Sequence, residues 1–395
     1  MSIDRRRVLA TSIAAAGLLT AAGVALTAGL GGLARRRGLS FGAAIRSEQL
    51  RDEPDLREAV LAECGALTPE VELNWSALEP AYGFMGFANL DDLAAFSLQA
   101  TKPLCGHTLL WHKAMPGWAT QSLNEAPDWR LIERYFASVL PRYADVIPRW
   151  HVVNEPIDVG DRADGLRRTV LLDAFGPDYI HRALEQARAL APRALLFLNE
   201  YSLEYDFAEE RERRTALLKL AERLMARGAP LDGVGLQSHL DLSKGSVSQA
   251  AVSTFVRALG DLGLAVAVTE LDVKEADYVA PQAQRDVLVA DEVRRYLDAV
   301  LAEPNVIGVT TWGLTDRHSW LTVTEADHAR FPAAWRQGDG PGFNRGLPLD
   351  SSMRPKPMYA AIASALRAAP ERPAFKSPRR SPDGRTRRLT APIRR

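Results

Sequence analysis

Cysteine and the common metal-binding patterns are scarce in this sequence. Its 395 residues include two cysteines, Cys64 and Cys105, and both lie in apolar segments. Isolated cysteines of this kind are typical of small buried side chains rather than of a redox or metal pair, although an oxidising compartment would permit a disulfide. HExxH, CxxC and a glycine-rich loop between a strand and a helix are absent. We therefore predict no metal and no cofactor.

Net charge is also absent, since 49 basic residues balance 49 acidic ones. The two ends, residues 1–38 and 371–395, contribute +5 and +7, which leaves −12 for residues 39–370. An acidic central segment gives no electrostatic basis for nucleic-acid binding, and none is predicted. The basic end from 371 to 395 is rich in Pro, Ser and Arg, which predicts a disordered tail.

Residues 1–38 are predicted to be an export signal or an N-terminal anchor. Arg5, Arg6 and Arg7 precede an apolar run rich in Ala, Gly and Leu, as in bacterial twin-arginine (Tat) signals. The run is long enough to cross a bilayer, so an uncleaved anchor is the alternative, although its Gly and Ala content argues against stable anchoring. We expect a periplasmic or secreted monomer with no stable membrane association once the segment is removed.

Eight short apolar or β-branched runs alternate with helical patterns across residues 39–370. Strands that alternate with amphipathic helices predict a parallel sheet, and eight units predict closure into a single α/β domain, a (β/α)8 TIM barrel. An open doubly wound sheet is the alternative, but the first run lacks a phosphate-binding turn. The runs are "LSFGAAI" (39–45), "ALTPEVEL" (66–73), "KPLCGHTLLW" (102–111), "RWHVVNE" (149–155), "ALLFLNE" (194–200), "GVGLQSHL" (233–240), "LAVAVTELDV" (264–273) and "VIGVTTWGL" (306–314).

Polar and aromatic side chains stand where these runs end, which in a barrel is the floor of the active site. Sugars stack on indole rings and hydrogen-bond to amides and imidazoles, and glycosidic cleavage needs two carboxyl groups. Glu155 and Glu270, at the ends of the fourth and seventh runs, are the predicted pair. The local pattern alone also fits Glu155 as the first solvated residue after a strand. The side chains at this rim are His107, Trp111, His112, Asn154, Glu155, Asn199, Glu200, Tyr201, Gln237, His239, Glu270, Asp272 and Trp312.

An ordered set of motifs resembles family 10 of the glycoside hydrolases, the endo-β-1,4-xylanases. The resemblance covers roughly residues 39–367 and implies hydrolysis of internal β-1,4 bonds of a polysaccharide, xylan or a related β-glycan, by double displacement. It also implies that Glu155 is the general acid/base and Glu270 the nucleophile. The motifs are "FGAAI", "GHTLLWHKAMPGW", "WHVVNEP", "GVGLQSHL", "VTELDV", "TTWGLTDRHSW" and "RPKPMY".

Further roles are implied by the same resemblance. Asn154 would bond the 2-hydroxyl of the sugar on the non-reducing side of the cleaved bond, and His239 would orient Glu270 from Asp272. A buried core histidine is the alternative for His239, and a cap on the barrel is the alternative for Trp320. The predicted substrate-binding residues are Glu70, His107, Trp111, Asn154, Gln237, His239, Trp312 and Trp320. The predicted supporting residues are Asp272, Tyr201 and Asn74, whereas His112 is predicted to be structural and Asp316 to bind a loop.

The sequence departs from the family pattern in residues that would grip the substrate. The family's Glu-Asn-x-x-Lys after the second strand keeps Glu70 here, but has Val71 and Asn74 in place of the Asn and the Lys. His151 stands where the family has Asp. We therefore expect weak activity on plain xylan.

Two alternatives to xylan hydrolysis stay open. One is an endoglycanase for another β-glycan, including a bacterial exopolysaccharide. The other is a glycan-binding barrel that no longer turns over. A barrel that had lost its activity would not be expected to keep all of its predicted catalytic residues. This chain keeps Asn154, Glu155, Gln237, His239 and Glu270.

Overall fold

The computed structural model describes residues 29–276, 280–322, 344–373 and residue 375. The strands are β1 (Ser40–Ile45), β2 (Ala66–Pro69), β3 (Cys105–Gly106), β4 (Leu110–Trp111), β5 (Arg149–Asn154), β6 (Leu195–Glu200), β7 (Gly233–Leu236), β8 (His239–Asp241), β9 (Ala265–Lys274) and β10 (Val306–Thr311). The α-helices are α1 (Leu30–Arg35), α2 (Ser47–Asp52), α3 (Pro54–Glu63), α4 (Trp75–Leu78), α5 (Ala88–Ala100), α6 (Gly117–Glu125), α7 (Arg130–Val139), α8 (Val170–Phe175), α9 (Tyr179–Leu190), α10 (Ala208–Ala226), α11 (Gln249–Asp261), α12 (Gln282–Leu301) and α13 (Pro357–Ala368).

Eight parallel strands close into a barrel, which confirms the predicted fold class. Their order around the sheet is β2-β1-β10-β9-β7-β6-β5-β3, and a parallel bridge between Leu67 and Leu104 joins the two ends. The short strands β4 and β8 pair with the carboxyl-terminal parts of β5 and β9. Each of the eight predicted runs contains one of the barrel strands.

Helices cover the barrel with one apolar side each. In α7, Ile132, Tyr135, Phe136 and Val139 recur at three- and four-residue spacing and are fully buried. This spacing places them on one side of the helix. Because parallel strands lie between such helices and the barrel interior, they are buried on both faces, and β5 is buried along all but its first residue.

One glycine in the wall is required by close packing. A Cβ on Gly106 would lie 2.2 Å from Cε3 of Trp150, whose ring is fully buried in the neighbouring strand. No side chain fits at that distance, so β3 approaches β5 here only because residue 106 is glycine.

The amino-terminal helix packs on the barrel. Leu30 and Ala34 in α1 are fully buried, and the backbone N–H of Leu30 donates to Glu63 Oε2 at 2.9 Å. The predicted export segment, residues 1–38, thus overlaps the folded part over its last ten residues, while residues 1–28 lie outside the described residues. Within the described ranges, no helix combines the length and the apolarity needed to span a membrane.

The beginning of the predicted tail contacts the amino-terminal end of the barrel. The Arg372 guanidinium donates to the carbonyls of Leu301, Glu303 and Val306 at 2.6, 2.8 and 3.0 Å. Phe375 packs against a small buried cluster formed by Phe197, Ala265 and Ala267. The remainder of the tail, residues 376–395, lies outside the described residues.

The two cysteines are not bonded to each other. Cys64 and Cys105 are both buried and neither forms a disulfide. Burial raises the pKa of the Cys64 thiol to about 12, so it is protonated. Both residues are therefore small buried side chains, as their apolar surroundings in the sequence predict.

Candidate active site

The carboxyl-terminal rim of the barrel has strained backbone next to its polar side chains. Glu155, Ser202 and Ser238 have positive φ values of 54, 54 and 65°. A residue other than glycine adopts this region at a cost of about 1–3 kcal/mol. Glu155 follows β5 and Ser238 lies between the predicted site residues Gln237 and His239, so the strain coincides with the rim that the sequence marks as functional.

Glu270 lies in β9 and is almost fully buried among nitrogen atoms. Asn199 Nδ2 donates to its Oε1 at 2.6 Å, and His107 Nδ1 is 3.7 Å from the same oxygen. His239 Nε2 is 3.3 Å from Oε2. Burial opposes ionisation, but His107, His239 and Asn199 together hold the pKa of Glu270 below its usual value. The side chain is therefore a carboxylate at neutral pH, the form that a nucleophile requires.

His239 lies between two carboxylates. Its Nδ1 is 2.8 Å from Asp272 Oδ1, opposite the contact with Glu270, and Trp320 Nε1 donates to Asp272 Oδ2 at 2.5 Å. Burial opposes protonation, but Asp272 and Glu270 raise the pKa of His239 well above its ordinary value. The imidazole is therefore a cation that is shared by these two acidic groups. Trp320 is attached to the site through Asp272 rather than standing apart as a cap.

Glu155 is also buried, at 5% exposure, so the alternative of a first solvated residue after β5 is wrong. Gln237 Nε2 donates to its Oε1 at 3.4 Å. Lys113 Nζ and His112 Nε2 are 3.5 and 4.0 Å from its Oε2, which accepts no hydrogen bond among the described residues. One oxygen of this carboxyl group is thus available for a bond to a substrate.

An amide network joins the two carboxyl groups. Asn199 Nδ2, besides its bond to Glu270, donates to Asn154 Oδ1 at 2.7 Å, and Gln237 Nε2 approaches the same oxygen at 3.4 Å. Thr269 Oγ1 donates to Asn199 Oδ1 at 2.7 Å. Asn199 is therefore the central member of the network.

Aromatic rings surround the histidines of the site. The centroid of Trp312 is 5.1 Å from that of His107 and 6.4 Å from that of His239. Trp111 and Trp320 lie 6.2 and 5.5 Å from His107 and His239 respectively. These rings supply apolar surface of the kind on which sugar faces stack.

The predicted residues after β2 form a second, separate group. Arg46 Nη2 donates to Glu70 Oε1 at 2.7 Å, with side chains that are 12% and 7% exposed. Asn74 directly precedes the short helix α4 as its N-cap, and its Oδ1 is buried without a hydrogen-bond partner among the described residues. Val71 contributes no polar side-chain atom here. This group has no direct hydrogen bond to Glu155 or Glu270 within the described part of the chain.

Tyr201, predicted as a supporting residue, lies beside Glu155 on the side of Lys113. Its hydroxyl accepts from Arg167 Nη2 at 2.8 Å, and its ring lies 6.0 Å from Lys113 Nζ. Arg167 Nε also donates to the Glu155 carbonyl at 2.9 Å. Tyr201 thus helps to hold Arg167, which in turn fixes the backbone of Glu155.

Two residues of the site, Lys113 and Arg46, were missed by sequence reasoning, and a third, Asn199, was placed at the rim without a role. Lys113 follows Trp111 and His112 directly, so its position in the chain was a usable signal, but the direction of its side chain was not. Asn199 stands at the end of a predicted strand, which is the signal that marked Asn154. Arg46 follows the first run directly, and nothing in the local sequence links it to Glu70.

Asp316 and His112, which the sequence does not assign to the chemistry, are buried and partly buried respectively. Asp316 is buried and accepts from Lys356 Nζ at 2.6 Å and from the Leu347 backbone N–H at 3.1 Å, which joins two loops as the sequence predicted. Burial lowers the pKa of His112 to about 3, so this imidazole is neutral.

No cluster of three or more His, Cys, Asp or Glu side chains in the described ranges is arranged to hold a metal ion.

Comparison with known proteins identifies the class to which this barrel belongs. The sequence model of glycosyl hydrolase family 10 matches residues 29–365. Endo-1,4-beta-xylanase C of Phanerodontia chrysosporium is 31% identical over 338 residues, 84% of this chain and 77% of that protein. Endo-1,4-beta-xylanase 1 of Humicola insolens is 31% identical over 359 residues, 90% of this chain and 78% of that protein.

A solved structure supports the same assignment. Xylanase 10B from Thermotoga petrophila RKU-1, crystallised in complex with xylobiose, superposes with a TM-score of 0.74 at 26% identity, covering 86% of this chain and 97% of that one. The fold and the site define a barrel hydrolase that acts on glycosidic bonds. The chain belongs to glycosyl hydrolase family 10 and is a glycoside hydrolase.

Proposed function

We propose that this protein is an endo-1,4-β-xylanase that cleaves internal bonds of xylan with retention of anomeric configuration. The proposal rests on one observation above all, the two buried carboxyl groups at one rim that a shared amide network connects. The endo-1,4-beta-xylanase names of the relatives and the xylobiose bound to the structural neighbour support xylan as the substrate class.

The residues divide the reaction into two displacements. In the first, Glu155 donates a proton to the oxygen of the leaving sugar while a Glu270 oxygen attacks the anomeric carbon and forms a glycosyl ester. In the second, Glu155 removes a proton from water, the water oxygen attacks the same carbon, and Glu270 leaves as a carboxylate. For a retaining enzyme the two carboxyl groups are expected about 5–5.5 Å apart.

The surrounding groups have roles that follow from their contacts. The charged His239 keeps Glu270 ionised, and Asn199 orients it. Asn154, whose Oδ1 is fixed by Asn199 and Gln237, presents its amide to the 2-hydroxyl of the sugar, a bond that strengthens in the transition state. Trp312 provides a stacking face next to both histidines.

Substrate grip beyond the cleaved bond is proposed to be weak. Val71 has no hydrogen-bonding side chain and Asn74 is buried at the head of α4, so Glu70 with Arg46 is the polar group left at this position. Binding energy from remote sugars normally contributes to turnover as well as to affinity. We therefore expect low activity on unsubstituted xylan and a preference for a glycan whose second glycone unit differs from plain xylose.

Export through the Tat pathway is proposed from the sequence of the first 28 residues. Arg5, Arg6 and Arg7 before an apolar run support it. Since Leu30 and Ala34 pack on the barrel, cleavage is expected before residue 29 rather than inside α1. Replacing Arg6 and Arg7 by Lys and following the protein in periplasmic and medium fractions tests export, and amino-terminal sequencing of the exported protein tests the cleavage position.

A polysaccharide panel read by reducing ends tests the proposed activity. Release from glucuronoxylan, arabinoxylan or linear xylan, abolished by Glu270→Gln, is the expected result. Release only from another β-glycan would instead identify an endoglycanase for that glycan, the second candidate activity. The departures from the family pattern at Val71 and Asn74 favour this alternative. Binding without release from any glycan would establish a lapsed, glycan-binding barrel.

A further inference from the structure

Beneath the proposed nucleophile, four side chains from two neighbouring strands form a continuous line of contacts. Arg149 Nε donates to Cys105 Sγ at 3.3 Å, and His151 Nε2 lies 3.5 Å from the same sulfur. On the other side of the ring, His151 Nδ1 lies 3.0 Å from His107 Nδ1. His107 Nδ1 is in turn the atom that lies 3.7 Å from Glu270 Oε1.

Burial lowers the pKa of His107 below its ordinary value, which favours a neutral ring. With both imidazoles neutral, only one arrangement of protons satisfies all of these contacts. Two imidazole nitrogens at 3.0 Å must share one proton. If His151 carried it, His107 Nδ1 would accept this hydrogen bond through its lone pair, and that electron-rich nitrogen would also lie 3.7 Å from the Glu270 carboxylate, which is repulsive. With the proton on His107 Nδ1, the N–H bonds to His151 and also points its positive end towards Glu270. His151 then holds its own proton on Nε2 and donates it to Cys105 Sγ.

The surroundings of His151 keep it neutral. It is 1% exposed, and the groups that face it are Cys105 and His107 from the β3 side, Arg149 from its own strand and the Phe197 ring from β6. None of these groups is an acid that would stabilise an imidazolium. Burial first, then His107 and Arg149, lower the pKa of His151 well below its ordinary value.

We propose that His151 is a positioning residue for the reaction: by accepting a hydrogen bond from the Nδ1–H of His107, it holds His107 as a neutral imidazole whose Nε2 is a hydrogen-bond acceptor for a sugar hydroxyl. Its backbone is fixed for this role, since the His151 carbonyl accepts from Thr108 Oγ1 at 2.9 Å and from the Leu109 N–H at 3.0 Å. The inference rests on the proposed role of Glu270 as nucleophile.

The consequence is an unequal pair of histidines around one carboxylate. A neutral His107 is next to Oε1 of Glu270, and a charged His239 is next to Oε2. An aspartate at position 151, which the family pattern has, would offer an anionic acceptor and favour a second proton on His107. Nε2 of His107 is therefore a hydrogen-bond acceptor in this chain, whereas the same atom of an imidazolium would be a donor.

Because His151 contacts His107 through Nδ1, substitutions at residue 151 can change this one acceptor atom. Nδ1 of a histidine and Oδ1 of an asparagine or aspartate occupy the same position relative to the backbone, so His151→Asn keeps a neutral acceptor, His151→Asp makes it anionic and His151→Leu removes it. The direct measurement is long-range ¹⁵N–¹H NMR of the full-length protein labelled in its seven histidines, with His107 and His151 identified by the signals lost in His107→Asn and His151→Asn. It needs no substrate, so its outcome is separate from that of the proposed activity.

The wild type is expected to show His107 neutral and protonated on Nδ1, and His151 neutral and protonated on Nε2. This state should hold between about pH 5.5 and about pH 7.5, roughly one unit either side of the ordinary pKa of histidine. His151→Asn should keep this signature with kcat within about threefold, and His151→Leu should lower kcat by about 10–100-fold with a smaller change in KM. His151→Asp should give a charged His107 and add an ionisation to the pH profile of kcat/KM.

A His107 that is charged, or protonated on Nε2, in the wild type at neutral pH would overturn the proposal, whatever the variants do. So would a His151→Leu protein that keeps both the wild-type signature of His107 and the wild-type kcat. If His151→Leu does not fold, the wild-type spectrum and the His151→Asn and His151→Asp pair still decide, because only the charge at residue 151 differs between those two.

Discussion

The surroundings of Glu270 and the loop after β2 differ in how completely their polar atoms are paired. Both oxygens of Glu270 face nitrogen atoms, and each of the nearest partners, Asn199 and His239, is itself held by a further residue. After β2, Glu70 is paired with Arg46, while the buried amide oxygen of Asn74 has no partner in the described residues. The surroundings of the proposed nucleophile are thus fully paired, whereas those of the loop proposed to bind the remote sugar are not.

The largest effect is expected at the nucleophile. Glu270→Gln keeps the size of the side chain but removes the attacking carboxylate, so kcat should fall by at least about 10⁴-fold. Steady-state kinetics on an aryl β-xylobioside measure it. Glu303→Gln, a buried glutamate that pairs with Arg257 away from the rim, is the matched control and should retain activity. Comparable losses in both variants would mean that the fold, not the nucleophile, had been affected.

Loss of the central amide should have the next largest effect. Asn199→Ala removes the donor to Glu270 and the bond that fixes Asn154, so we expect a fall in kcat of about 10²–10³-fold. Thr269→Val leaves Asn199 in place but removes the hydroxyl that orients it, and should cost about tenfold or less. Equal kcat values for Asn199→Ala and the wild type on the same xylobioside would exclude this network from the reaction.

The pH profile should move when the charge beside the nucleophile is removed. Because the pKa of Glu270 is below its ordinary value, activity persists as the pH falls and is lost only below that lowered pKa. His239→Gln removes a cation at 3.3 Å, so the acid limb of kcat/KM should shift to higher pH by about one unit.

The control for that shift is a second buried histidine. His181 pairs with Glu185 on α9 at 3.2 Å and does not contact the site, so His181→Gln should leave the acid limb in place. An acid limb that is unchanged in His239→Gln would show that His239 packs in the core without setting the charge of Glu270.

Much of the barrel could be predicted from local sequence, because alternating strands and amphipathic helices each leave a periodic signal over a few residues. Glu155 and Glu270 were found in the same way, as carboxylates at strand ends. Asn199 and Glu270 are 71 positions apart, and their bond depends on the relative height of β6 and β9, which no local pattern records. The reach of Lys113 and Arg46 is equally a matter of tertiary structure.

The end of the predicted export segment was harder to place from the sequence. A run of Leu, Ala and Gly is typical both of a signal and of a small helix that packs closely on a barrel. Gly31 approaches the backbone at Gly65 so closely that a Cβ would lie 2.6 Å from its nitrogen. Composition therefore did not separate residues 30–35 from the apolar segment that precedes them.

The smallest effect is expected after β2. Val71→Asn with Asn74→Lys restores two polar groups, each worth on the order of 1 kcal/mol, so kcat/KM on xylotetraose should rise by about 5–30-fold. The gain should be smaller on an aryl β-xyloside, which has a single glycone unit and does not reach this loop. A wild type with kcat/KM already at the level of other xylanases, and no gain in the double variant, would mean that Arg46 and Glu70 hold the remote sugar adequately.

Glu270 is proposed to form a covalent bond with the sugar during the reaction. Incubation with a 2-deoxy-2-fluoro-β-xylobioside that carries a good leaving group, followed by peptide mass spectrometry, tests it directly. We expect one equivalent of fluoroxylobiosyl label on the peptide that contains Glu270, and no label in Glu270→Gln. Label on a different residue, or turnover of xylan with an inverted product anomer and no trapped ester, would contradict it.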